Sequence, residues 1–187
     1  MKFSIIIPTF GRKEKLIRTL QSVVRQNYDD YECIVIDDNP QKTTRQIENQ
    51  NLIKSRYSKF KYSLNSQTKG ACGARNTGLD LAQGRFCIFL DDDDELLPNH
   101  LSSAVEFCEN NDVVFAQCEI YEDDKLFGVT NNHWIGIEDP LREQIKVGVN
   151  STSSLVFRKD VLVEAGGWEE LPVGQENLLV TKLLVNG

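Results

Sequence analysis

The sequence predicts an α/β fold in which helices flank a mostly parallel central sheet. Two observations carry this prediction. Short β-branched and aromatic runs, with the length of buried strands, alternate along the chain with segments of helical periodicity. Three of these runs also end abruptly in polar residues, as strands do at the ligand-binding edge of a parallel sheet.

The first half of the chain shows this alternation most clearly. The predicted strands are Phe3–Ile7, Cys33–Ile36, Lys61–Leu64 and Phe86–Leu90. The predicted helices are Lys13–Gln26, Thr43–Tyr57, Cys72–Ala82 and a fourth with apolar side chains from Leu101 to Cys108. Pro8 and Gly11 are expected to break the chain after the first strand, and Gly84 to cap the third helix.

The second half is less regular. Its predicted strands are Val113–Tyr121, the letters LFGV at 126–129, and Ser153–Arg158, with a turn at Glu122–Asp124. Its predicted helices are Val161–Ala165 and a final helix that carries Leu178, Leu179, Leu183 and Leu184. Residues 130–150, which include Trp134, predict only one helical turn, near Leu141–Ile145.

Composition excludes several classes of protein. A net charge of −7 argues against nonspecific nucleic-acid binding. No apolar run approaches the roughly 20 residues of a membrane span, and the N-terminal letters MKFSIIIP are too short for a signal peptide. With no linker or repeat, one domain over residues 1–187 is expected.

Cysteine usage predicts a reducing compartment. The chain has an odd number of cysteines, and no two of them have the C-x-x-C spacing of a metal or redox site. Free thiols, mostly buried, in the cytoplasm are therefore expected. The cysteines are Cys33, Cys72, Cys87, Cys108 and Cys118.

A run of five acids follows the buried strand at Phe86–Leu90. Asp91 to Asp94 and Glu95 repel one another, and carboxylate oxygens are ligands that suit Mg²⁺, Mn²⁺ or Ca²⁺. A divalent cation would explain the run. A solvated acidic turn that leads into a helix at Pro98 would explain it too, because a helix N-terminus favours anions. The run alone leaves both interpretations open.

Four segments, in order and separated by helix-sized gaps, resemble the family 2 glycosyltransferases, nucleotide-sugar enzymes of the GT-A fold. They read FSIIIPTFGR, YECIVIDDNP, GACGARNTGL and FCIFLDDDDELLP. The resemblance is close over residues 3–110 and looser through SSLVFRKDVLVEAGGW and GQENLLVTKLL. It implies a Rossmann-like GT-A domain with a nucleotide-sugar half at 1–110 and a smaller, mixed acceptor-side half at 111–187. Similar enzymes usually continue past the last helix, so a truncated form or a small variant is expected.

The resemblance assigns a nucleoside pocket to the first two strand ends. Pro8, Thr9 and Phe10 would line it, and Asp38 would accept a hydrogen bond from the N3–H of uracil. Arg75 looks like the family's arginine near the nucleotide. Each assignment has a plainer alternative. Pro8, Thr9 and Phe10 could form a tight strand-to-helix turn, and Asp38 could cap a turn. Arg75 could form an ion pair with a clustered aspartate.

The same resemblance assigns the metal and ribose contacts to the acidic run, which matches the family's D-x-D element. Asp93 would hold Mn²⁺ or Mg²⁺. Asp91 or Asp92 would bind the ribose or a metal-bound water. The four aspartates cannot all be ligands, because these cations usually take one or two protein carboxylates.

The catalytic base is expected at the start of the last helix. The family often has an acidic pair there with an arginine about two turns later, and here the pair reads Gln175, Glu176 with Lys182 as the basic residue. In that register Glu176 is the base. Glu169 and Glu170 are the alternatives, and all three could be solvated helix-start acids.

Two histidines complete the candidates. His100 is expected to be an exposed first-turn residue of a helix, and His133 could approach an acceptor.

The resemblance implies an inverting transferase that moves a sugar from a nucleotide-diphosphate donor, best fitted by UDP, to a hydroxyl acceptor in polysaccharide or glycan synthesis. A sugar or lipid-linked sugar acceptor, peripheral membrane association and a cytoplasmic location at the inner membrane face follow from it. A noncatalytic nucleotide-sugar-binding module is the main alternative, because Gln175 replaces one acid. A dinucleotide oxidoreductase is disfavoured because no G-x-G-x-x-G follows the first strand.

Overall fold

The computed structural model describes residues 1–122, 125–130, 138–149, 151–171 and 173–186. The strands formed by these residues are β1 (Phe3–Thr9), β2 (Tyr31–Asp37), β3 (Lys61–Leu64), β4 (Phe86–Phe89), β5 (Val113–Phe115), β6 (Cys118–Glu122), β7 (Lys125–Thr130) and β8 (Leu155–Arg158). The helices are α1 (Lys13–Val24), α2 (Thr44–Arg56), α3 (Ala71–Leu81), α4 (His100–Cys108), α5 (Pro140–Lys146), α6 (Lys159–Glu164) and α7 (Gln175–Asn186).

The central sheet has six strands in the order β3-β2-β1-β4-β8-β5. Strands β3, β2, β1 and β4 are parallel, while β8 is antiparallel to both of its neighbours. The predicted mostly parallel α/β sheet is therefore confirmed. The chain leaves β1 toward β2 and β3 and then returns across the sheet to β4. This reversal places a topological switch point at the carboxyl ends of β1 and β4, where open α/β sheets bind ligands.

Helices cover both faces of the sheet, which explains why its central strands read as continuous apolar runs. Alternate side chains of β1 enter different cores. Ile5 and Ile7 pack with apolar residues of α1, α2 and α4, whereas Ile6 packs with residues of α3, α6 and α7. Strands β6 and β7 form a separate antiparallel pair.

Helix α3 lies unusually close to its neighbours because glycines occupy the contact points. A Cβ built on Gly78 would lie 2.2 Å from Cγ2 of Ile6, and one on Gly73 would lie 1.8 Å from the carbonyl oxygen of Thr68. Neither position has room for a side chain. Gly78 therefore brings α3 against β1, and Gly73 brings the first turn of α3 against the loop before it.

Two boundaries predicted in the first half are wrong. Strand β1 continues through Pro8 and Thr9, which pair with β2. Proline is tolerated there because the pairing of β1 with β4 ends at Ile6. The N–H that Pro8 lacks would therefore have had no hydrogen-bond acceptor in β4. Gly84 does not cap α3, which ends at Leu81 with Ala82 as its C-cap. Instead, a Cβ on Gly84 would lie 2.5 Å from the backbone of β1.

The second half also departs from prediction. The single strand expected at 113–121 is divided, since β5 pairs with β8 in the main sheet and β6 pairs with β7 outside it. The helical turn near Leu141 extends to the full helix α5. His100 is half-buried rather than exposed, and burial lowers its pKa. His133, Trp134 and the turn residues 123 and 124 lie outside the described residues.

The cysteines agree with the expected free thiols. All five are unpaired, four are buried and Cys118 is half-buried. Among the residues that the structure describes, no helix has both the length and the apolar character needed to cross a membrane.

Candidate active site

The carboxyl ends of β1, β2 and β4 are tied together by hydrogen bonds at the switch point. Thr9, the last residue of β1, donates from Oγ1 to Oδ2 of Asp92 at 2.6 Å. Its carbonyl oxygen accepts from the backbone N–H of Asp38 at 3.0 Å. Three of the loops predicted to carry function therefore meet at one edge of the sheet.

Asp92 is the buried member of the acidic run. It is fully buried, it accepts the hydrogen bond from Thr9, and it forms an ion pair with the guanidinium of Arg12. Burial raises the pKa of Asp92, although the hydrogen bond from Thr9 and the charge of Arg12 oppose that shift. Its contact with the ribose stays a prediction, and Asp91, which is one-third exposed, is the more accessible of the two candidates.

Asp93 is exposed and lies between two cationic side chains. Its Oδ2 is 2.9 Å from Nη1 of Arg12 and 3.1 Å from Nζ of Lys15. Sequence reasoning missed both cations. Their spacing at the start of a helix that follows the first strand end was the available signal.

The side chain of Asp94 turns toward the protein. Burial raises its pKa, a hydrogen bond from Ser153 opposes the shift, and the charges of Asp91 and Asp93 add to it. Its carbonyl oxygen accepts from Oγ1 of Thr19 at 2.8 Å. The acidic run is thus divided between inward-facing and accessible carboxylates.

Asp37 and Asp38, adjacent in sequence, have different environments. Asp37 is buried and accepts four hydrogen bonds, two from Asn39, one from Asn49 and one from the hydroxyl of Tyr62. This is a structural role, which agrees with the interpretation that Asp38 is the functional member of the pair.

Asp38 is half-buried and held at two points. Its Oδ1 accepts from Nδ2 of Asn65 at 2.7 Å, and its Oδ2 accepts from the backbone N–H of Gly70 at 3.0 Å. Asn65 is in turn fixed by the hydroxyl of Thr77, which donates to its Oδ1 at 2.8 Å. The carboxylate therefore has a fixed orientation at the rim of the site. Sequence reasoning did not identify Asn65.

Arg75 connects the acidic run to the last helix. Its Nη2 donates to Oδ1 of Asp91 at 2.8 Å, and its Nη1 donates to Oε1 of Gln175 at 3.4 Å. The guanidinium also lies over the ring of Trp168, 4.6 Å from its centre. The ion pair considered as an alternative role for Arg75 is thus present, and it lies within the site.

A cavity of about 420 Å³ opens beside Gln175, the residue that contacts Arg75. It is lined by Lys69, Gly70, Ala71, Cys72, Glu170, Leu171 and Gln175. Lys69 also lies 5.3 Å from the ring centre of Phe10, which is 47% exposed. An exposed aromatic ring next to a cavity with both charge signs offers a surface for a planar, polar ligand.

The three candidate bases lie in different places. Glu176 is half-buried in the first turn of α7, directly after the Gln175 that contacts Arg75. Glu170 lines the cavity. Glu169 forms an ion pair with Lys182, so this basic residue connects α7 to the preceding loop.

The sequence also matches a known protein family, described as glycosyl transferase family 2, over residues 4–166. This match covers most of the chain. The chain belongs to glycosyl transferase family 2. The four motif segments and the GT-A assignment drawn from them are therefore confirmed at the level of family and fold.

Two curated relatives belong to the same class. One is the GalNAc(5)-diNAcBac-PP-undecaprenol beta-1,3-glucosyltransferase of Campylobacter jejuni subsp. jejuni, 42% identical over 127 residues, which are 67% of this chain and 40% of that enzyme. Another is the UDP-Glc:alpha-D-GlcNAc-diphosphoundecaprenol beta-1,3-glucosyltransferase WfgD of Escherichia coli, 33% identical over 67% of this chain and 49% of that enzyme. The chain thus spans half or less of the length of these relatives.

Solved structures agree on the fold. The structure of S. aureus TarS 1-349 in complex with UDP superposes on all of this chain and 56% of that one, with a TM-score of 0.76 and 25% identity. The similarity covers the whole described sheet and its flanking helices.

Proposed function

We propose that this chain is the donor-binding and catalytic part of an inverting glycosyltransferase that uses a UDP-sugar and a hydroxyl acceptor. The observation that carries the proposal is the position of Arg75. This one side chain contacts Asp91 at the end of β4 and Gln175 at the start of α7. It therefore brings the predicted donor site next to the helix that carries the predicted base.

The proposed donor contacts use groups that are already held in place. Asp38 would accept from the N3–H of uracil, and its orientation is set by Asn65 and the backbone of Gly70. Phe10 would pack on the base. Such preorganisation reduces the entropy that a loop must lose when ligand binds. The UDP in the TarS complex supports this choice of nucleotide.

The accessible carboxylates fit a hard divalent cation. Asp93 already attracts two cationic side chains, so positive charge is favoured at its position. Among the described residues no three His, Cys, Asp or Glu side chains form a ready metal site. Mg²⁺ or Mn²⁺ usually takes one or two protein carboxylates, so diphosphate and water would supply the remaining ligands. A cation held by Asp93 would neutralise charge on the departing diphosphate.

The chain's own residues would carry the remaining steps. Arg75, whose positive charge is balanced by Asp91, would place its guanidinium beside the donor. Glu176 would accept the proton of the acceptor hydroxyl as that oxygen attacks the anomeric carbon. One displacement inverts the anomeric centre.

The relatives support the stereochemistry and the acceptor class. Both are named as beta-1,3-glucosyltransferases, one of them with UDP-Glc as donor, and both act on undecaprenol diphosphate-linked sugars. Nucleotide sugars of the α configuration require inversion to give β products. We therefore propose a lipid-linked sugar as the acceptor, and a reaction at a membrane surface in glycan synthesis.

The test uses labelled donors and two readouts. Binding of UDP, GDP and UDP-sugars is measured by calorimetry with and without Mn²⁺, and transfer is measured with diphosphoundecaprenol-linked N-acetylhexosamine as acceptor. We expect UDP to bind more tightly than GDP, and a β-linked product to form. Tight UDP-sugar binding without transfer to any acceptor would favour the noncatalytic binding module.

A further inference from the structure

The charge of this chain is divided very unevenly. The segments 12–25 and 42–59, which contain α1 and α2, carry ten basic and two acidic side chains, a net charge of +8. The remaining residues carry 11 basic and 26 acidic side chains, a net charge of −15. A chain with an overall charge of −7 therefore has two basic segments, one around α1 and one around α2, each with five basic and one acidic side chain.

These two helices lie side by side on one face of the sheet. Lys13 of α1 forms an ion pair with Glu48 of α2 at 3.2 Å. A Cβ built on Gly11, just before α1, would lie 3.1 Å from Nη1 of Arg45 in α2. The apolar sides of both helices pack into the same core. Their polar sides therefore lie next to each other where the two helices begin.

Most of the basic side chains on this surface are not paired. Arg12 and Lys15 contact the acidic run, and Lys13 contacts Glu48. The other seven are exposed, and none forms an ion pair with another described residue. We call these seven the basic surface; they are Arg18, Arg25, Lys42, Arg45, Lys54, Arg56 and Lys59.

Exposed apolar side chains lie among these cations. Val24 of α1 is 57% exposed, and Ile47 of α2 is 45% exposed. Helices that combine basic and apolar side chains on the solvent side suit the interface of an anionic bilayer, where the charges meet phosphate headgroups and the apolar groups enter the boundary region.

We propose that the basic surface binds the surface of an anionic phospholipid bilayer. Lys15 forms an ion pair with Asp93 at the rim of the site, and Arg18 follows Lys15 by about one helical turn on α1. The basic surface therefore begins where the candidate active site ends. A bilayer that covers it holds the mouth of the site at headgroup level, where a lipid-linked sugar presents its hydroxyl groups.

The choice of a bilayer over another polyanion rests on the proposed function, which supplies a membrane-bound acceptor. The exposed Val24 and Ile47 favour the same choice, because a nucleic-acid backbone offers no partner for an aliphatic side chain. The residues outside the two basic segments carry a net charge of −15 and would repel a long polyanion that contacts more than this face.

Vesicle sedimentation of the purified chain tests the proposal. The probes are phosphatidylcholine vesicles with none, 15% or 30% phosphatidylglycerol, at about 50 and 300 mM salt. The test variant is Arg18→Glu with Arg45→Glu and Lys59→Glu; an acid at position 45 lies in the first turn of α2, where the helix dipole favours it. The matched control, Lys125→Glu with Arg142→Glu and Lys146→Glu, makes the same charge change outside α1 and α2.

The parent chain and the control should bind anionic vesicles, bind neutral ones far less, and lose binding at high salt. The test variant should partition at least about 100-fold less, since three basic contacts become repulsive. Equal binding of test variant and control, equal binding to neutral vesicles, or tighter binding to a single-stranded DNA 30-mer than to vesicles would overturn the proposal. UDP affinity measured on the test variant should be unchanged, so failure of donor binding remains distinguishable from failure of membrane binding.

Discussion

Asn76 and Trp168 exchange two hydrogen bonds between α3 and the loop that follows α6. Nδ2 of Asn76 donates to the carbonyl oxygen of Trp168, and the backbone N–H of Trp168 donates to Oδ1 of Asn76, both at 2.8 Å. The indole is buried and packs edge-on against Phe89 of β4 at 5.0 Å. Because Arg75 rests on that indole, one amide side chain fixes the support of the residue that joins both ends of the site.

Replacing Asn76 by alanine should lower the free energy of unfolding by about 2–4 kcal/mol, because two buried backbone groups lose their partners. Urea unfolding followed by circular dichroism measures this. Asn51→Ala, on the exposed side of α2, is the control and should be near neutral or slightly stabilising. Equal stability of the Asn76→Ala variant and the parent would mean that the loop has another anchor.

Glu32 should make the fold sensitive to acid. It is buried, and it accepts hydrogen bonds from Ser4, from the backbone of Gln83 and from Lys61. Burial alone raises the pKa of Glu32, but these three donors outweigh it, so the folded pKa is lowered. The stability it contributes is therefore present above the unfolded pKa of about 4.3 and is lost as pH falls through that value toward the folded pKa.

The measurement is urea unfolding at pH 7, 5 and 4 for the parent and for Glu32→Gln. The variant should be less stable than the parent at pH 7, and the difference should shrink as pH falls. Glu106→Gln, an exposed change on α4, should leave the pH profile unaltered. A constant difference across this range would show that Glu32 contributes no pH dependence.

The sequence predicted the central strands well because they are buried on both faces, and burial on both faces leaves a continuous apolar run. It could not predict where β5 ends. Residues 113–121 have strand character throughout, but after Phe115 the chain leaves the partner β8 and pairs elsewhere. Choice of partner is a long-range property. The end of β1 was placed too early, before Pro8, for the same reason. Whether a strand can contain proline depends on where its neighbour β4 stops pairing with it.

Site residues could be predicted from the sequence where the residue type itself indicates the chemistry. They could not be predicted where the role depends only on position in the folded structure. The acids Asp38 and Asp93 and the guanidinium of Arg75 stand out in the letters. Asn65 does not, because its role is to hold another side chain, which becomes visible only when α3 and β2 are packed together.

Asp38→Ala should weaken UDP binding by about 1–3 kcal/mol, the range for a hydrogen bond to a charged acceptor. Calorimetry with UDP measures it. Asp37→Asn is the matched comparison. It should instead lower stability, since its new amide group would face donors from Asn39 or from Asn49 and Tyr62. An unchanged UDP dissociation constant in Asp38→Ala would leave Asp38 with a turn-capping role alone.

Asp93→Ala should abolish any gain in UDP affinity that Mn²⁺ or Mg²⁺ provides, because a metal bridge between carboxylate and diphosphate would be lost. Calorimetric titrations of UDP with and without Mn²⁺ give the comparison. Glu95→Ala removes another exposed acid from the same run and should keep the metal-dependent gain. Metal-independent binding of equal strength in the parent and in Asp93→Ala would overturn the metal assignment.

Glu176→Gln should separate catalysis from binding. A general base acts in the transition state and contributes little to holding the nucleotide, so its removal lowers turnover and leaves ground-state binding almost intact. General-base assistance is worth roughly 10²- to 10⁴-fold in rate. Glutamine keeps the size of the side chain at the start of α7. We therefore expect UDP and metal affinity to be retained, and sugar transfer to fall by about that factor.

Glu169→Gln and Glu170→Gln are the controls for this prediction. Glu169 is paired with Lys182, so its loss should affect the docking of α7 more than the chemistry. Glu170 lines the cavity and could influence the affinity for a sugar without acting as base. Transfer rates and UDP dissociation constants for all three variants decide the matter. If Glu176→Gln transfers sugar at the parent rate while Glu170→Gln does not, the base lies in the loop before α7, and Arg75 then links Asp91 to a helix that only supports the site.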